Sequence, residues 1–300
     1  IISNKYDYLI KKYILSESNN LGIDFGLSTI KYGKIGGNYS LDFVFKKYIN
    51  YFKLNAKIKK FNPFKEIPFC QKLENFLNDT IGKSEYILVQ IKEQKGNSTI
   101  LKTDPKTYIK SIKYFKEKNY KIIFAGKKEN MPKEFKELGV INYSNFKYHT
   151  LQSDLNLVSR SKLLISSASG FACLAQVNDT PCVYSNSWHI VLTPSSKYCV
   201  HIPYLFFNKN NGGTVKYDEI INLYINQYNQ TFYGEDKYEV VANKSDEILE
   251  GAKEAMSLKD NYEEPSKIYQ NFKDKYKNLP IKYCESRIST FFIKKYPKLF

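Results

Sequence analysis

Short apolar runs alternate with amphipathic stretches from about Glu85 onward. Tyr86-Ile-Leu-Val-Gln-Ile91 has strand length and branched side chains, and Lys121-Ile-Ile-Phe-Ala125 is a second such run. Between them Asp104-Pro105 opens a helix, with Asp as N-cap and Pro in the first turn. Tyr108, Ile109, Ile112 and Phe115 then form one apolar face. Pro132 to Leu138 reads as a short helix stopped by Gly139, and Val140-Ile141 begins another strand. Ser153 is placed to cap a helix running through Val158. From Lys162 to Tyr184 the pattern is a buried strand, a Ser/Gly turn, a short apolar helix and a second buried strand. Each gap between strands holds one helix, which is the crossover arithmetic of a parallel sheet. The expected fold class is therefore α/β, a doubly wound, mostly parallel, Rossmann-like sheet.

After Tyr184 the pattern turns irregular, with a turn at Asn210-Asn-Gly-Gly213 and a helical stretch from Asp218 to Tyr228. Asn243 is expected to cap a helix through Met256, and Ser289 to Pro297 reads as a short helix stopped by proline. Lys5 to Leu15 and Leu41 to Leu54 look helical, and Gly33 to Gly37 is a turn without G-x-G-x-x-G spacing. The expected division is a mainly helical, truncated region over 1–82, the Rossmann-like domain over 83–260, and a helical extension over 261–300 packing back on it.

Composition narrows this picture. An apolar fraction of 42% and 16% aromatics belong to a folded chain. No apolar run reaches membrane-spanning length, no signal-peptide pattern opens the chain, and the absence of an initial Met reads as a fragment. The net charge of +16 is almost all lysine, because Arg160 and Arg287 are the only arginines. Base and phosphate readers rely on bidentate arginine, so no specific nucleic-acid partner is expected. A lysine-driven nucleic-acid binder stays as a lesser alternative, and peripheral contact with an anionic membrane face as a further one. The five cysteines, Cys70, Cys173, Cys182, Cys199 and Cys284, show no C-x-x-C spacing. Neither a disulfide framework nor a zinc site is expected, which suits a reducing cytoplasm.

The turn after Ile165 is the leading candidate site. Ser166, Ser167, Ser169 and Gly170, with Phe171 behind them, stand where a strand's carboxyl end meets a helix's amino end. Backbone N–H groups and hydroxyls there can hold a phosphate. The same pattern also makes a routine N-cap turn. Lys92 and Glu93 follow the first strand, at the same sheet edge: lysine to offset a leaving diphosphate, glutamate to deprotonate an acceptor hydroxyl, or simply an exposed ion pair. Asn186 follows the strand Cys182 to Tyr184, where its amide can read a sugar or base or make an Asx-turn. Trp188 and His189 lie just beyond, as a stacking surface and a proton carrier or as packing. No Asp-x-Asp, no G-x-x-x-x-G-K-[ST] and no G-x-S-x-G occurs, so no metal site, ATP-hydrolysing loop or serine-hydrolase elbow is expected.

Taken in order, these motifs resemble the bacterial glycosyltransferases found among surface-polysaccharide genes, over about Tyr86 to Phe300. That family's strand ending in His-x-Arg-Asp/Glu is matched by Gln90-Ile-Lys92-Glu93, and its Gly-Tyr-x-Val-Ile-Arg-x-Gly by Lys118-Asn-Tyr-Lys-Ile-Ile-Phe-Ala-Gly126. Asn142-Tyr143, Ser153-Asp154-Leu155, Ala168-Ser169-Gly170 and Asp179-Thr-Pro181 through Asn186 follow in family order, as do Asn243 to Ile248 and Arg287-Ile-Ser. The resemblance implies the nucleotide-sugar half of a GT-B fold, with the acceptor-side half largely missing. It implies metal-independent transfer from a nucleotide-sugar, a co-substrate and not a resident cofactor, to a surface-glycan, lipopolysaccharide or lipid-linked acceptor at the cytoplasmic side of the inner membrane. Lys92 and Glu93 would be catalytic, and Gly126, Ser167, Ser169, Gly170, Phe171 and Asn186 would line the donor site. Gln90 stands where the family has His, Lys92 where it has Arg, and Phe124 where it has a second Arg. Each change removes a proton carrier or a bidentate clamp, which keeps open a second reading, a nucleotide-sugar-binding module with impaired catalysis.

Overall fold

The computed structural model describes residues 68–91, 103–126, 131–167, 171–187, 190, 196–226, 237–277 and 279–300. Lys92, Glu93, Ser169, Gly170, Trp188 and His189, and the expected elements before residue 68, lie outside the described residues. Among the described residues seven strands form a parallel sheet: β1 (Tyr86–Gln90), β2 (Lys121–Phe124), β3 (Ile141–Asn142), β4 (Leu163–Ser167), β5 (Cys182–Ser187), β6 (Cys199–Pro203) and β9 (Arg287–Ile288). A separate antiparallel pair joins β7 (Leu205–Asn208) to β8 (Tyr238–Val241).

The sheet order is β3-β2-β1-β4-β5-β6-β9. The chain winds outward from β1 to β3, crosses back, and winds the other way from β4 onward. This is the Rossmann-like arrangement expected from the alternation of apolar runs. The reversal falls between β1 and β4, which pair in parallel with Gln90 opposite Ser166.

The strands read as unbroken apolar runs because both faces of the sheet are covered. Ile87 and Val89 enter one core and Tyr86 and Leu88 the other, as the two-residue period of a strand requires. The first core is closed by α2 (Ile109–Glu117), α3 (Lys133–Glu137), α6 (Tyr217–Asn226), α7 (Ser245–Ser257), α8 (Lys267–Lys275) and α9 (Thr290–Lys295). The second lies under α1 (Gln71–Ile81), α4 (Leu151–Arg160) and α5 (Ala172–Asn178). On α1 the buried residues are Leu73, Leu77 and Ile81, one every turn, each worth up to roughly 1.5–3 kcal/mol by apolar burial. α7 lies close enough to the sheet that a Cβ on Gly251 would stand 2.8 Å from Ile202 Cδ1 and 3.1 Å from Val183 Cγ2.

Two expected caps differ from the structure. Thr150, not Ser153, is the N-cap of α4: its side chain accepts from Ser153 N at 3.1 Å while Ser153 Oγ accepts from Thr150 N at 2.8 Å. Ser153 is thus the return partner of a capping box, and the helix starts three residues sooner. Asn243 does not cap α7, which begins after Lys244 with Glu247 Oε2 accepting from Lys244 N at 2.8 Å. The Asp104 cap holds, accepting from Lys106 N at 2.9 Å, although the first turn it starts, Pro105–Tyr108, is a 3₁₀ turn leading into α2. The irregular stretch expected after Tyr184 instead contains the rest of β5, then β6 and β7.

Candidate functional site

In an open parallel sheet, ligands sit beyond the carboxyl ends of the strands where the winding reverses. Along that edge the described chain places Gly126 after β2, Gln90 and Ile91 at the end of β1, Ser166 and Ser167 ending β4, and Asn186 and Ser187 ending β5. Ser167 is in register with Ser185 across β4 and β5. Parallel pairing alone therefore gathers the Ser turn, the end of the first strand and Asn186 at one edge.

A polar network forms the floor of this edge. Ser166 Oγ lies 2.9 Å from Gln90 Oε1 and 2.8 Å from the Ser167 carbonyl. Ser185 Oγ donates to the Ser166 carbonyl at 3.1 Å and is met by the Tyr108 hydroxyl at 2.5 Å. Ser166, Ser185 and Tyr108 are all fully buried. Burial pushes the Tyr108 phenol well above its ordinary value, even though the Ser185 hydrogen bond pulls it down. Tyr108 is therefore a neutral hydroxyl that fixes Ser185, and through it the β4 backbone.

Asn186 is held by a reciprocal clasp. Its N–H donates to Asn243 Oδ1 at 2.5 Å, Asn243 N–H donates to Asn186 Oδ1 at 2.8 Å, and Asn243 Nδ2 donates to the Pro203 carbonyl at 2.8 Å. Both asparagines are buried, and Asn186 has φ +52°, a left-handed conformation that asparagine tolerates better than most residues. The clasp joins the ends of β5 and β6 to the start of α7. Asn186 Nδ2 also approaches Thr103 Oγ1, at 3.5 Å. The amide of Asn186 thus holds the edge together from within the fold.

The other expected site residues divide by position. Ser167 is buried at the end of β4, and Phe171, half-buried, immediately precedes α5. Gly126 follows β2, and a Cβ there would collide with the Phe124 ring, so the missing side chain leaves room for Phe124. Tyr108, Ser185 and Asn243 are site-edge residues that pattern reading missed. The residue pattern puts Tyr108 in the apolar face of α2 and makes Asn243 a helix cap. The sole available signal for Ser185 was a small polar residue inside a buried run.

Among the described residues no group of three His, Cys, Asp or Glu side chains could hold a metal ion. No helix among them is long and apolar enough to cross a membrane. No protein-family model matches the chain, and no match is found among curated proteins or solved structures.

Proposed function

We propose that the protein is a metal-independent glycosyltransferase that moves a sugar from a nucleotide-sugar to a surface-glycan or lipid-linked acceptor, with a sheet corresponding to the donor half of a GT-B enzyme. One observation carries this reading: the Ser166-Ser167 strand end and the Gln90 strand end adjoin at the point where the sheet reverses its winding. Small residues at that point let a ligand's diphosphate approach the backbone closely, and hydroxyls supply donors to it. Lys92 and Glu93 follow Gln90 directly after Ile91. In this reading Lys92 offsets charge on the departing nucleoside diphosphate, and Glu93 takes the proton of the attacking acceptor hydroxyl. Ser167, Ser169 and Gly170 hold the diphosphate, and Asn186 fixes the wall beside them.

A second reading, a nucleotide-sugar-binding module without turnover, is favoured by Gln90. Its amide meets Ser166 at 2.9 Å, in the position where the family resembled has a proton-carrying histidine. A panel of nucleotide-sugars separates the two by thermal shift and by release of nucleoside diphosphate with acceptor glycans. Binding with turnover supports the transferase, and binding without turnover across the panel supports the module. A chain that responds to no nucleotide-sugar at millimolar concentration is neither.

A further inference from the structure

The two arginines of the chain are treated very differently. Arg160 is 40% exposed at its side chain and pairs with Glu74 at 3.0 Å. Arg287, the first residue of β9, is 2% exposed, and its Nε and Nη2 are sealed from solvent without an acceptor. These two nitrogens form the side-on fork of the guanidinium, the edge that grips two oxygens of one carboxylate or phosphate. A buried charge is ordinarily both paired and hydrogen-bonded, because taking it out of water without partners is very costly.

Glu254, whose carboxyl feels the Arg287 charge, does not fill the fork. The Glu254 carboxylate is used by α9, accepting from Thr290 N and Thr290 Oγ1, each at 2.8 Å. Arg287 acts on Glu254 through its field, as one of the weaker influences on a carboxyl that burial raises. An aromatic face meets the guanidinium: Arg287 Cζ lies 5.0 Å from the centre of the Tyr262 ring. Lys197 Nζ lies 5.8 Å from the centre of the same ring. Tyr262 is 44% exposed, sits in the non-helical connection between α7 and α8, and makes no hydrogen bond among the described residues. It is held neither by a regular element nor by burial.

Arg287 pairs with Val200, one residue into β6, so this group stands toward the amino ends of the strands. That is the edge opposite Gln90, Ser167 and Asn186. We infer that Arg287, Lys197 and Tyr262 form a second ligand site, for a small oxyanion bearing a carboxylate or phosphate group, which enters when Tyr262 swings off the guanidinium. Arg287 supplies the two-point grip and Lys197 a second positive charge at the mouth. The sealed fork requires that entry be gated, and the cation–π contact between Tyr262 and Arg287 sets the gate's strength. Distance from the reversal of the sheet makes it an effector site, separate from donor binding.

The test is a melting-temperature titration of the chain with sodium phosphate and, separately, sodium acetate, against sodium chloride at matched ionic strength. Wild type is expected to gain stability with phosphate or acetate beyond the chloride control, and Arg287→Lys to lose that gain. Tyr262→Ala keeps Arg287 and removes the cover, so its apparent dissociation constant should fall roughly 2- to 30-fold, the factor a cation–π contact represents. Phosphate alone acting identifies a phosphate site, and acetate alone a carboxylate site. If Arg287→Lys does not fold, the Tyr262→Ala titration decides by itself. The inference is overturned if neither anion exceeds chloride in wild type and Tyr262→Ala. It is equally overturned by a response that Tyr262→Ala leaves unchanged, since that response belongs to the opposite edge or to scattered lysines.

Discussion

Ser166 Oγ stands 2.9 Å from Gln90 Oε1, joining the ends of the two strands between which the sheet reverses its winding. The contact is small, yet it links the first strand of one half to the first strand of the other. Removing the hydroxyl deprives a partly buried amide and the local backbone of a partner. Ser166→Ala is expected to lower unfolding free energy by about 1 kcal/mol, measured by urea denaturation.

The asparagine clasp should matter more. Asn243→Ala leaves the Asn186 N–H and the Pro203 carbonyl without their side-chain partner, and each orphaned buried group costs about 1–3 kcal/mol. The expected loss therefore exceeds that of Ser166→Ala. Equal losses in the same denaturation experiment would show that the clasp is not the stronger tie.

α7 depends on a missing side chain. Gly251→Ala raises helix propensity by about 1 kcal/mol but drives a methyl group into Ile202 and Val183. Ile202 and Val183 are fully buried, so any shift of either side chain presses on other core atoms. Overpacking of about 1–3 kcal/mol should win, and the variant should melt below wild type. A variant that melts higher would mean that α7 can lift from the sheet at little cost.

His201 gives the stability a defined pH dependence. It lies on β6, fully buried, with neither ring nitrogen hydrogen-bonded, and the Tyr269 ring stands 6.2 Å away. Burial, assisted by the Lys273 charge, pushes it down to about 3. The unfolded chain protonates this residue near pH 6.5 and the folded chain does not. Stability should therefore be intact above that value and fall as pH drops toward 3, by up to about 1.4 kcal/mol per pH unit. Urea denaturation between pH 7 and pH 5 measures the slope, and His201→Leu should flatten it.

On the proposed function, Ser167→Ala removes one hydroxyl from the diphosphate's surroundings while the sheet is retained. Affinity for a nucleotide-sugar should drop roughly 2- to 12-fold, the factor for one ordinary hydrogen bond. Isothermal titration of a donor that binds wild type measures it. Unchanged affinity would remove Ser167 from the donor site.

By itself the sequence determined the parallel α/β class, because Tyr86–Gln90, Lys121–Phe124, Leu163–Ser167 and the start of β5 are apolar runs that only a sheet covered on both faces can bury. Those same runs located the edge where Gln90, Ser167 and Asn186 gather, since a strand's carboxyl end can be read from its sequence. Tertiary structure alone decided the rest. β6 carries a histidine and ends in proline, and β9 is two residues long, so each is a strand only because a neighbour supplies its hydrogen bonds. Asn243 looked like a cap because asparagine before a helix usually is one, but its amide found better partners at Asn186 and Pro203. Local chemistry is written along the chain. The choice among competing partners is made by residues far away in sequence, and only folding brings them within hydrogen-bonding distance.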